Sequence, residues 1–370
     1  MDDSSSYWKQ NLKVAWLGNF LTGTIFTLVM PFISVFVEEL GVGPGLVEYY
    51  AGLAVSTNAL AAALMAPVWG SLADRYGRKP MMVRAAFAMI FTMGGMAFVP
   101  NVFWLLVLRV LNGVFTGYIP NATALIASQV PKDKTGYALG TLSTGAVAGN
   151  LIGPTLGGVL AEMFGVHTVF LLVGLLYAIV VILTVFYIRE DFVPIKKSDV
   201  LPVKEVFAQV KDRKILAGLF VTSMVIIAAA QAVVPILTLY VRHLGQTDNL
   251  LFVAGFIISL PGMASLATSG YLGKLGDRIG NHRLLLMALT YSLLINVFCV
   301  FAENPFQLGL LRFLYGFGTG ALLPSVNSLL TKLTPKEGIS RIFAYNQLFN
   351  NLGFCSWSDD GVGSRSPNGL

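Results

Sequence analysis

The sequence predicts an all-α integral membrane protein built from two six-helix repeats, the second incomplete, with ten full spans and the start of an eleventh. Three observations lead there. Apolar runs of about twenty residues recur along the chain, the length a helix needs to cross a bilayer. Hydrophobic residues make up 55% of the 370 and charged ones 12%, at a mean hydropathy of +0.71; a soluble domain carries about 25% charged residues. The two halves of the chain also match each other, collinearly, at a single offset.

Breaks between the apolar runs place spans at roughly 14–37, 47–72, 81–100, 102–127, 136–161, 167–188, 215–241, 250–273, 284–302 and 305–330. An eleventh begins near Ile339 and fades after Phe354. Backbone polar groups cannot stay unpaired in lipid, so these runs are expected as helices. A barrel would instead show alternating ten-residue strands, and the sequence has no such pattern.

Orientation follows from the basic residues. Of 25 Lys and Arg, 21 fall on one side: in the N-terminal segment, the 2–3, 4–5, 8–9 and 10–11 loops, and the long 6–7 connection. That side, with the N-terminus, is expected to be cytoplasmic. The formal charge of +6 follows this topology, so no nucleic-acid partner is expected. The first span is too long for a signal-peptide core and is expected to stay as an anchor. In "VKEVFAQVKDRK", Val203, Val206, Phe207 and Val210 share one helical face, which predicts an interfacial helix in the linker, with a solvated linker as the alternative. The domain plan is a six-helix bundle over 1–188, a cytoplasmic linker over 189–213, a truncated second bundle over 214–354 and an aberrant polar tail over 355–370.

The repeat is explicit. "LVMPFISVFV" matches "AVVPILTLYV", placing Pro31 over Pro235, and "AGLAVS" matches "AGFIIS". "GSLADRYGRK" at 70–79 matches "GKLGDRIGNH" at 273–282, and "LRVLNGVFTG" at 108–117 matches "LRFLYGFGTG" at 311–320. The offset is 203 or 204 throughout. Parallel repeats of six spans about a longer cytoplasmic joint form a transporter plan.

Several constellations could carry function. In the 2–3 loop, Gly70 and Gly77 permit close approach and a tight turn, and Asp74 can cap the following helix, where the dipole favours a carboxylate. Arg75, Arg78 and Lys79 accompany them, and Asp277 and Arg278 repeat the pattern. For Lys79 and Arg84, topology alone is an equal reading. Arg109 lies inside span 4, where a guanidinium costs about 2.5–3.5 kcal/mol on insertion scales. It shares a face with Asn112, Gly113, Thr116, Pro120 and Thr123, which points to a polar cavity; a snorkelling arginine is the alternative. Arg312 repeats it in span 10. In span 5, Gly145, Gly149, Gly153 and Gly157 recur every four residues beside Pro154 and Gly158, a groove into which another helix can fit closely. Asn19, Thr22, Asn112, Tyr118, Asn121, Gln231 and Asn327 are candidates for a substrate cavity or for interhelical contacts. No carboxylate lies deep in a span: Glu38, Glu39, Glu48, Glu162 and Glu303 all fall at the outer ends. The three histidines lie in loops, the two cysteines lack metal-ligand spacing, and no nucleophile or phosphate-loop signature is present. Neither an enzyme nor a metal protein is expected.

"GSLADRYGRK" resembles the 2–3 loop signature of the major facilitator superfamily at every defining position. "RVLNG" resembles that family's span-4 Arg-x-x-Gln-Gly motif, associated with proton coupling, with Asn112 in place of Gln. "GNLIGPTLGG" resembles the span-5 glycine motif of drug:proton antiporters. From residue 10 to about 354 the chain resembles the twelve-span antiporters of this superfamily, nearest to Gram-positive multidrug efflux permeases. The resemblance implies the major facilitator fold, a 70–79 loop acting as a conformational latch, and proton-coupled export by alternating access. It further implies a monomer in a bacterial plasma membrane, handling small amphipathic substrates and protons, with no cofactor beyond the proton gradient. An importer of a metabolite or sugar, and a non-transporting truncated remnant, are the alternatives. At offset 204, Gly149 falls on Gly353, so a second Gly-Pro is due near 357–358, where Trp357 and Ser358 stand. A one-nucleotide shift in reading frame can convert such a Gly-Pro into Trp-Ser, so the tail is expected to be a frameshifted eleventh span.

Overall fold

The computed structural model describes residues 4–43, 45–131, 134–191, 212–333, 342, 345–346, 348–350 and 352–353. Helices account for nearly all of the described residues and none is in a strand. Nine of the described helical segments are long and apolar enough to cross a membrane. The tenth expected span is a 29-residue helix, Pro305–Leu333, which carries Gln307, Arg312, Asn327 and Lys332 along its length. The expected interfacial helix at 203–210 and the tail at 355–370 lie outside the described residues.

The first half contains α1 (Ser4–Leu28), α2 (Ile33–Glu39), α3 (Val47–Tyr76), α4 (Arg78–Gly95), α5 (Val102–Phe115), α6 (Tyr118–Gln129), α7 (Thr135–Phe164) and α8 (Val166–Tyr187). The second contains α9 (Arg213–Ala232), α10 (Val234–His243), α11 (Leu250–Ile279), α12 (Asn281–Cys299) and α13 (Pro305–Leu333). Three spans are each built from two helices. Span 1 breaks around Pro31 and span 7 around Val233–Pro235, at repeat-related positions, because proline withdraws a backbone donor. Span 4 breaks between Phe115 and Tyr118.

Packing follows the small residues. α1 lies along α7, α4 along α8, and α11 along both α13 and α7. The main core belongs to the first half and includes Phe32, Phe36, Leu105, Leu125, Phe170 and Tyr177. Large apolar side chains also cover the outside: on α8, Leu171, Leu175, Ile179, Ile182 and Phe186 are exposed along one stripe. That arrangement suits a hydrocarbon surround rather than water.

Candidate functional site

A polar seam runs through the first half at span 4. Asn101 opens α5 by accepting a hydrogen bond from the Trp104 backbone N–H at 3.2 Å. Two turns on, Arg109 is 4% exposed and Asn112 5%. Asn58 on α3 donates from Nδ2 to the Arg109 carbonyl at 3.0 Å and to Asn112 Oδ1 at 2.7 Å. Asn112 Nδ2 then donates to Thr92 Oγ1 on α4 at 3.2 Å. Gly113 lets α3 approach, since a methyl there would collide with the Asn58 carbonyl. The Arg109 Nε is buried with no acceptor among the described residues.

One turn beyond, the helix breaks, and the sequence explains where. Pro120 has no N–H, so the carbonyl four residues back, on Thr116, loses its helical partner. Gly117 turns the chain with φ +130, a conformation that favours glycine. Two side chains supply the missing donors. Trp69 Nε1 donates to the Val114 carbonyl at 2.6 Å, and Arg84 Nη2 to the Thr116 carbonyl at 3.1 Å. The Arg84 guanidinium stacks 3.4 Å above the Trp69 ring. Its Nε and Nη1 are buried and meet no acceptor among the described residues. Beyond the break, Asn121 Nδ2 donates back to the Gly117 carbonyl at 2.8 Å, and the Tyr118 hydroxyl shares a hydrogen bond with Thr184 on α8 at 3.0 Å.

The span-5 glycines divide between two neighbours. Gly145, Gly149, Gly153 and Gly157 face the α1 backbone at Trp16, Phe20, Thr24 and Leu28. Gly158 faces Leu251 on α11, and the Pro154 carbonyl lies against Gly255. One helix therefore joins its own half on one side and the opposite half on the other. The halves also meet through Thr155–Ser259 at 2.9 Å, Leu251 N–H to Glu162 at 3.1 Å, Arg242 to Glu38 at 2.8 Å and Thr238 to the Pro31 carbonyl. The last three lie toward the end opposite the basic loops, which closes that end.

A model of the Major Facilitator Superfamily matches residues 15–357. The chain belongs to this superfamily. Among superfamily relatives, the multi-drug resistance efflux pump PmrA of Streptococcus pneumoniae is 60% identical over 346 residues, covering 94% of this chain and 87% of the pump. A PmrA homolog of Lactococcus lactis is 55% identical, covering 94% and 86%. The multidrug resistance protein MdtG of Klebsiella pneumoniae is 48% identical, covering 95% and 86%. The fold is also that of an inward-facing, occupied bacterial homolog of the lysosomal transporter Spinster, at TM-score 0.80 and 13% identity, covering 95% of this chain and 80% of that one. A point mutant of the nucleoside transporter NupG aligns at TM-score 0.77 and 14% identity, covering 95% and 90%.

The superfamily segment at 70–79, expected as a loop after a span ending at 72, is helical except at Gly77: α3 runs on to Tyr76 and α4 begins at Arg78. Gly77 turns it with φ +102, while Gly70 and Arg75 sit on α3 and Arg278 on α11, both arginines exposed. The Asp74 and Asp277 side chains lie outside the described residues. Among the described residues, the anion held at the α4 N-terminus is Glu190, whose carboxylate accepts from the backbone N–H of Arg78 at 2.8 Å and of Lys79 at 2.7 Å. Lys79 Nζ donates to the Val185 carbonyl at 2.9 Å. Just before Glu190, Arg189 is clasped by Asn11. The Asn11 Oδ1 accepts from the Arg189 N–H at 3.0 Å, and its Nδ2 donates to the Arg189 carbonyl and to Gln129 Oε1, each at 2.7 Å.

Of the remaining cavity candidates, Asn19 and Thr22 are buried on α1, each with a side-chain oxygen lacking a partner among the described residues. Gln231 is half-buried on α9, beside Ser56 and Pro235. Asn327 is half-buried on α13 and its carbonyl takes the Thr331 hydroxyl at 2.8 Å. Arg312 is 3% exposed, with its guanidinium 5.7 Å from the Tyr315 ring. A cavity of about 210 Å³ in the second half is lined by Leu272, Asn281, Leu284, Pro324, Ser325 and Ser328. Span 4 thus brings Arg109, Asn112, Tyr118 and Asn121 into one seam, while Gln231, Arg312 and Asn327 stand in the second half. Sequence reasoning missed Asn58, Trp69, Thr92, Asn11 and Glu190. Arg84, assigned there to the loop's topology or a latch, is a partner of the span-4 break. Pro120 was the one local signal pointing to it.

Proposed function

We propose that the chain exports small amphipathic compounds against inward proton flow, by alternating access, as a monomer in a bacterial plasma membrane. The observation that carries this is 60% identity, over 94% of the chain, to a pump whose name states multidrug efflux. The geometry supports it in two ways. Closure of the end opposite the basic loops gives one of the two states that alternating access requires. The span-5 helix offers glycine faces to both halves, so rocking has a close-packed pivot. In this reading the basic end and the N-terminus are cytoplasmic, and the bundles over 1–188 and 214–354 move about the linker. The 70–79 loop is the latch, with Asp74, Asp277 and Arg278 as its charged members, and Arg109 and Arg312 tune the coupled proton. No cofactor beyond the proton gradient is required.

Everted membrane vesicles carrying the chain, energised and given a fluorescent amphipathic dye on the outside, test the reading. Dye accumulation that collapses on adding a protonophore is the expected result. Accumulation unchanged by the protonophore, or transport only in the opposite direction, overturns it.

A further inference from the structure

We propose that the break in span 4 is a binding subsite for an organic anion, in which Arg84 holds the carboxylate, sulfonate or phosphonate of an amphipathic substrate. This narrows the substrate class of the export reading and rests on it. A guanidinium carries five N–H donors in a planar fork. At Arg84 one of them, on Nη2, goes to the Thr116 carbonyl, while Nε and Nη1 meet no acceptor among the described residues. Trp69 covers one face of the guanidinium plane, and its own N–H is tied to Val114. The in-plane edges, where a two-oxygen anion docks, are the part left over. Asn121 sits in the same corner: a Cβ at Gly117 would lie 3.5 Å from Asn121 Nδ2 and 3.6 Å from Arg84 Nη2. The corner thus combines cationic and amide donors with an indole ring, suited to an acid on an aromatic or apolar frame.

Among the described residues, no carboxylate pairs with Arg84. The ion pairs among the described residues, Glu38–Arg242 and Glu39–His167, lie at the end opposite the basic loops. Arg84, Arg109 and Arg312 sit within spans, where a charged group is normally paired. Capping the broken helix does not by itself require a charge, since the neutral Trp69 already serves Val114. Nor does the repeat require it: at offset 203, Trp69 and Arg84 fall on Leu272 and Met287, and Gly117 on Gly320 inside the continuous α13. The corner exists in one half only. The free donors are sealed in this arrangement, so the anion enters when α3 parts from the break, a movement available to a two-state transporter.

Equilibrium binding to the purified full chain in detergent tests the assignment by fluorescence polarisation. The probes are carboxyfluorescein and rhodamine 123, which share a xanthene frame and carry opposite charge. Arg84→Gln is expected to weaken carboxyfluorescein binding about tenfold or more, the scale of one charge-assisted hydrogen bond, while rhodamine 123 binding changes less than about twofold, which also reports an intact fold. Arg84→Lys, a point charge without the fork, is expected to fall between. Equal loss for both dyes, or no carboxyfluorescein binding by the unaltered chain, overturns the proposal. Replacing gluconate by chloride at constant ionic strength separates a site for organic acids from one for small inorganic anions. Dye displacement by chloride alone overturns the organic-acid assignment. Binding and export fail separately: proton-driven dye export without charge discrimination at Arg84 sinks only the subsite, and binding without proton-driven transport sinks only the export reading.

Discussion

Gly145→Ala is the sharpest test of the α1–α7 seam. A Cβ at Gly145 would lie 2.6 Å from the Trp16 carbonyl oxygen, whereas ordinary contact begins near 3.4 Å, so the two backbones must separate by about 0.8 Å. The obstacle is a carbonyl inside a helix, which cannot rotate away. Overpacking of this kind costs about 1–3 kcal/mol. Alanine also gains about 0.5–1 kcal/mol over glycine in a helix interior, which would blur a single measurement. Gly140, on the same helix, has open space around its Cβ position, so Gly140→Ala carries the propensity gain without the collision. The difference between the two variants therefore isolates the contact, at about 1–3 kcal/mol. Thermal unfolding of the purified variants in detergent reads it: Gly145→Ala should melt below the parent chain and Gly140→Ala at or above it. If the two melt together, the seam does not depend on contact between helix backbones.

Within the polar seam, Asn58→Leu and Asn112→Leu should couple. Each single variant strands a partner, and the double variant should be more stable than the sum of the two by roughly 0.6–1.7 kcal/mol, the range for hydrogen bonds in membranes; strict additivity in a detergent unfolding cycle would show that the bonds are not formed together. Glu190→Gln should loosen the α4 N-terminus, seen as faster limited tryptic cleavage after Arg78, and unchanged cleavage would place the anchor elsewhere. Arg242→Gln should leave melting within about 0.5 kcal/mol, because the pair is half-exposed and such pairs contribute little. Crosslinking between introduced cysteines at positions 38 and 242 should nonetheless form readily in the parent arrangement, and its absence would refute closure of that end.

The spans were legible because hydrophobic length is a one-dimensional property: the expected 102–127 became 102–129, and 167–188 became 166–187. The span-4 break was only half legible. Pro120 predicts an orphaned carbonyl on Thr116, but nothing local says that Arg84, 32 residues away, will supply its donor, or that Trp69 will supply one to Val114 from 45 residues away. Asn58, Thr92 and Glu190 were invisible for the same reason. Each acts through a partner on another helix, and one polar residue in an apolar run carries no address. The glycine stripe shows the middle case: a four-residue period predicts close contact with a helix, but not that Gly157 meets α1 while Gly158 meets α11.

The repeat sharpens what these breaks mean. The breaks at Pro31 and Pro235 are offset by 204, and they meet across the halves where Thr238 bonds to the Pro31 carbonyl. The bend at each break brings its backbone against the opposite half, so the symmetric pair of breaks lies at a contact the two halves share. The span-4 break has no such counterpart, because α13 passes through the corresponding glycine unbroken. Its freed carbonyls are taken up inside one half, by a tryptophan and an arginine. Symmetric breaks suit an element that both halves must share as they rock. An asymmetric one, stabilised by a cation with donors to spare, suits recognition, which needs only one side of a cavity to differ from the other.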